Sequence, residues 1–135
     1  MKSLTTLDSM NSIDLQKLEA IGITTPEALL DEGSSPQGRK AIAQTTGIDS
    51  NQILRWVNHV DLFRIKGVAG EYADLLEAAG VDTIPELAQR KPENLYQRLA
   101  AINEEKQLVR LMPTPSLVAN WVEQAKQLPR KVVYS

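Results

Sequence analysis

Eight consecutive residues of this chain recur in similar form. Leu18-Glu19-Ala20-Ile21-Gly22-Ile23-Thr24-Thr25 is matched by Leu76-Glu77-Ala78-Ala79-Gly80-Val81-Asp82-Thr83 at a spacing of 58 residues, and Trp56-Val57 by Trp121-Val122 at a spacing of 65. Two copies of one unit, the second carrying seven extra residues between Gly80 and Trp121, account for both spacings. The extra residues are expected around Asn103 to Pro113. Such a repeat means two like halves, each built from one supersecondary pattern.

The junction of the copies is Leu62-Phe63-Arg64-Ile65-Lys66-Gly67-Val68-Ala69-Gly70-Glu71-Tyr72-Ala73-Asp74-Leu75-Leu76. A helix-period segment runs into two glycines three residues apart, and a second helix-period segment follows at once. A turn this short folds two helices back on each other, and Gly67 and Gly70 take positive φ at little cost. The stretch resembles a helix-hairpin-helix motif, with Ile65, Gly67 and Val68 in the turn and Ala73 and Leu76 on the following helix.

Of the 135 residues, 42% are hydrophobic but only 4% aromatic, so the core must rest on Leu, Ile, Val and Ala, a composition that favours helices. The absence of cysteine excludes disulfides and thiolate metal sites. No apolar run approaches a membrane span, and Met1 to Asp8 lacks the apolar region of a secretory signal, so a soluble cytoplasmic protein is expected. The net charge is −2, with −3 in residues 1–61 and +1 in residues 62–135. Neither half has the positive excess of a dedicated nucleic-acid binder.

In the first copy Ser12 is expected to cap a helix through Ala20, with Gly22 as its stop. Thr25-Pro26 starts a short helix to about Asp31, and Ser35-Pro36 starts another that Gly47 ends. Asp49 or Ser50 caps a long helix with Ile53, Val57, Val60 and Arg64 on one face and Trp56 and Phe63 flanking it. In the second copy Tyr72, Leu75, Leu76 and Ala79 form a stripe, and Thr83-Ile84-Pro85-Glu86 reads as a capping box. Pro92 starts a helix with Leu95, Leu99 and Ile102 on one face, and Glu104 to Met112 is expected to add a helical turn or two. Thr114 caps the last helix, whose stripe is Leu117, Val118, Trp121, Val122, Ala125 and Leu128. No segment reads as a strand.

This order of parts resembles domain of unknown function 4332, a bacterial family. The resemblance runs from about Ile13 to Leu128. It is carried by the repeated octet, Gly38-Arg39-Lys40, Gly47-Ile48, Arg64-Ile65-Lys66-Gly67-Val68, Asn103-Glu104-Glu105-Lys106 and Trp121-Val122-Glu123-Gln124-Ala125-Lys126. It implies an all-α fold of two tandem helix-hairpin-helix-like (SAM-like) units packed as one compact helical domain. The first unit is expected at residues 1–61, with Ser9 and Ser12 in place of the hairpin glycines, the second at 62–128, and a flexible tail at 129–135.

A helix-hairpin-helix holds DNA through backbone N–H groups at a helix N-terminus, which attract a phosphate without reading sequence. Arg64, Lys66, Gly67, Val68, Ala69 and Gly70 are the candidates for such a contact, with Lys40 as added charge. Against it stand Glu71 and Asp74 beside the turn. Arg90, Lys91, Arg98, Lys106 and Arg110 are interleaved with Glu93, Glu104 and Glu105, as on a solvated helix face. Arg130, Lys131, Val132, Val133 and Tyr134 form a basic-apolar tail, a candidate partner-binding segment that reads more simply as disordered. His59, the only histidine, reads as a surface or boundary residue; no metal site or cofactor motif is evident. Trp56 and Trp121 read as core anchors of the two copies. No nucleophile with a base, acid pair or phosphate loop stands out, so no enzymatic activity is expected. The expected function is a non-catalytic protein-interaction module, an adaptor or assembly factor. The alternative is weak, sequence-independent DNA binding at the hairpin, and self-association is a third reading.

Overall fold

Side-chain caps and prolines set the helix starts in the computed structural model, which describes residue 4 and residues 10–68 and 70–133. The described residues form eight α-helices and no strand. The chain divides into two units. One runs to Asp61 and takes the chain back from Lys131 onward; the other is Leu62–Arg130.

The first unit opens with α1 (Ser12–Ala20). Its cap is Asn11, one residue before the expected Ser12: the Asn11 side chain accepts from the Asp14 N–H at 2.8 Å. Thr25 and Ser35 cap α2 (Pro26–Gly33) and α3 (Pro36–Thr46), each accepting from an N–H three residues on and each followed by proline. The second helix, expected to end at about Asp31, runs on to Gly33. The bare Cα of Gly33 lets α4 (Ser50–Leu62) come close, since a Cβ there would lie 2.6 Å from Val57 Cγ2. The last seven residues of α4, Trp56 to Leu62, are all buried, and His59 is among them at 2% exposure. That corrects the expectation of a surface or boundary histidine: every residue in this part of α4 is buried. The helix also stops at Leu62, so Arg64 lies beyond the face it was assigned to.

The second unit holds α5 (Gly70–Ala78), α6 (Ile84–Ala88), α7 (Pro92–Lys106) and α8 (Pro115–Gln127). α8 packs on α6 and α7, and α7 on α5. Trp121 lies fully buried in this core. The Thr83 cap forms, but the Glu86 carboxylate returns to the Asp82 N–H, one residue before the usual capping-box donor. The turns expected after Glu104 end early, because Gln107 adopts a left-handed backbone (φ 53°) and accepts the role of C-cap.

Each unit runs through four helices in the same order. α1 and α5 are both nine residues long, and each ends in a Schellman turn. Gly22 (φ 87°) and Gly80 (φ 88°) donate to Glu19 and Glu77, while Ile23 and Val81 donate to Leu18 and Leu76. α4 and α8 are both thirteen residues long, with a buried tryptophan at the seventh position. The repeat reaches back to Leu4, which is fully buried like Leu62, its counterpart 58 residues later. The seven extra residues of the second copy are not one insertion. α7 is four residues longer than α3 (15 against 11), and seven residues rather than two separate the helix cap from the next helix. A start-to-start step two residues shorter from α6 to α7 (eight against ten) offsets the rest.

Candidate functional site

The hairpin residues lie at the start of the second unit, where a short turn follows α4. Ile65 donates to the Leu62 carbonyl and Val68 to the Ile65 carbonyl, both at 3.1 Å. Between them Gly67 has φ 96°, a value L side chains rarely adopt. A Cβ there would also stand 3.2 Å from Trp121 Nε1, so the conformation calls for glycine and the packing leaves a side chain little room. The turn is tied to α8 by Gln124, whose Oε1 accepts from the Lys66 N–H at 2.8 Å and whose Nε2 donates to the Lys66 carbonyl at 3.1 Å. Arg64 Nη2 donates to the Pro129 carbonyl at 2.9 Å. The Lys66 side chain is exposed, Val68 is buried, and Gly70 begins α5 with Glu71 in its first turn. Ala69 lies outside the described residues. The backbone N–H groups of Lys66 and Val68 are therefore already engaged within the unit.

The other candidates are dispersed. Lys40 lines a cleft of about 560 Å3 beside Arg39, between α3 and the start of α4. Arg90 caps the end of α5, donating to the Ala79 and Gly80 carbonyls at 3.4 and 3.3 Å. The tail is not free through Val133: Val132 is 2% exposed, and Lys131 and Val133 bond to residues of the first unit. Tyr134 and Ser9, the latter expected in place of a hairpin glycine, lie outside the described residues.

The loop between α7 and α8 was not singled out from the sequence as a site. Asn103 holds it at one end, donating to the Val109 carbonyl (3.1 Å) and accepting from the Val109 N–H (2.9 Å). Tyr72 holds it at the other, its hydroxyl donating to the Leu111 carbonyl at 2.9 Å. The Tyr72 ring tilts against Trp121, with centroids 5.3 Å apart. Val109 and Pro113 are buried, while Leu111 is 76% exposed and Leu108 points outward at 36%. An asparagine followed six residues later by a valine was the one signal in the sequence, and it gains meaning only once Val109 is seen to be buried.

The family described as a domain of unknown function (DUF4332) matches residues 9–128. The chain belongs to the DUF4332 family. Comparison with curated proteins and with solved structures finds no match. The DUF4332 match takes in α1 to α8 and stops before Lys131, so the tail contacts on the first unit lie outside it. No helix among the described residues is long and apolar enough to cross a membrane.

Proposed function

We propose that this DUF4332 chain is a non-catalytic interaction module that binds another protein, as an adaptor or assembly factor. The observation that carries the reading is Leu111, a large apolar side chain 76% exposed on a loop whose backbone is pinned at Val109 and Leu111. An apolar side chain held out on an ordered loop is suited to a partner's pocket, because little conformational freedom is lost on binding. Leu108 is exposed three residues earlier in the same loop, with the buried Val109 and the exposed Arg110 between the two in sequence. The hairpin supports the reading from the other side. We read it as a helix-hairpin-helix turn whose backbone serves packing, since Gln124 and Ile65 take up the Lys66 and Val68 N–H groups and Pro129 takes an N–H of the Arg64 guanidinium.

The test is site-specific photo-crosslinking in cells at position 111, with the exposed Gln16 of α1 as a control position, alongside fluorescence anisotropy with duplex and single-stranded DNA. A protein adduct of discrete mass at 111, absent at 16 and lost on Leu108→Asp, is the expected result, with no DNA binding at low salt. DNA binding that weakens steeply with salt and falls with Lys66→Ala would replace this reading with the DNA one. Lys66→Ala is the informative variant, because a larger residue at Gly67 would press on Trp121 and disturb the fold.

A further inference from the structure

Residues 131–133 are held on the first unit as an added segment. Val133 donates its N–H to the Ser34 carbonyl at 2.8 Å, and its own carbonyl accepts from Arg39 Nη2 at 2.8 Å. Arg39 is 6% exposed, and its Nη1 donates to the Gly33 carbonyl at 2.8 Å, so one guanidinium joins the end of α2 to the tail. Val132 is 2% exposed, and Lys131 Nζ meets Asp31 Oδ1 at 2.6 Å. That ion pair is open to solvent and contributes little. Recognition rests on both main-chain groups of Val133 and on one buried side chain, as when an extended segment is added to an exposed backbone edge.

None of these contacts depends on the segment belonging to the same molecule. The chain leaves the first unit at Asp61, builds the second, and returns only at Lys131. The joint between α8 and the segment is short: Leu128 is extended (φ −101°, ψ 135°), and Pro129 and Arg130 are exposed. A segment on a short joint is an arrangement in which identical elements exchange between copies, since every contact made within one chain is remade across two.

We propose that the Ser34–Arg39 edge of the first unit is a receptor for this extended segment, and that it accepts the tail of a second copy in place of its own. The proposal does not rest on the partner-binding reading, which concerns a loop of the other unit, and the two tests fail independently.

Two experiments on the full-length chain decide it. In the first, isotopically labelled wild-type chain is mixed with excess unlabelled peptide of residues 128–135, and exchange of the Val133 amide proton is followed by NMR. Displacement of the resident tail should speed that exchange several-fold, while a peptide carrying Val132→Asp should leave it unchanged. In the second, a Val132→Asp chain (open receptor, disabled tail) is mixed with an Arg39→Gln chain (disabled receptor, intact tail). Each alone should be monomeric by light scattering, and the mixture, in which no resident tail competes, should form a one-to-one complex at or below the roughly millimolar effective concentration of a tethered segment. An unchanged Val133 exchange rate with excess peptide overturns the proposal, as does a mixture of folded variants that stays monomeric. Should a variant lose its helical circular dichroism, the wild-type exchange measurement decides alone.

Discussion

Gly38 stands in the first turn of α3, where a Cβ would run into the carbonyl oxygen of Glu32 in α2. The obstacle is backbone, so α2 and α3 would have to separate. We expect Gly38→Ala to destabilise the first unit by about 1–3 kcal/mol, the usual cost of overpacking, read as a lower midpoint in urea. The sequence offers no warning here, because glycine inside a helix reads as a mild propensity defect. Gly67 is the opposite case. Its place in a short turn already called for positive φ, and the structure adds the crowding of Trp121 Nε1, a buried N–H with no hydrogen-bond partner among the described residues.

At the scale of the element, helix starts were legible because the caps are local chemistry. Thr25, Ser35, Thr83 and Thr114 each accept from the N–H three residues on, and a proline lies in the first or second helical position behind each. Replacing Thr25 with Ala should cost about 1 kcal/mol, measured by chemical denaturation. Helix ends were less legible. Gln107 takes a left-handed backbone that sequence assigns to glycine or asparagine, and the loop after it is shaped by Asn103 from inside α7. Asn103→Ala leaves both main-chain groups of the buried Val109 without their partner. Amide exchange at Val109 should therefore rise well above that of the α7 core, while exchange in α2 and α3 stays as it was.

Over the whole molecule, the two units should respond separately to damage. Val132→Asp places a charge where a buried side chain stood. Because Val132 belongs to the first unit, its loss should speed amide exchange in α2 and α3 and leave α6 and α8 unchanged, as hydrogen exchange by mass spectrometry would show. The sequence by itself determined the all-α class, the repeat, the paired tryptophans and most helix starts. These follow from periodicity, from caps within three residues, and from likeness between distant segments. Only the tertiary structure decided that His59 is buried, that Gln124 occupies the hairpin backbone, that Leu111 is held outward, and that the tail lies against Ser34 and Arg39. Each of these joins residues whose meeting depends on how folded elements pack. A short basic-apolar tail reads as disordered until a buried arginine about ninety residues earlier is seen to hold its backbone.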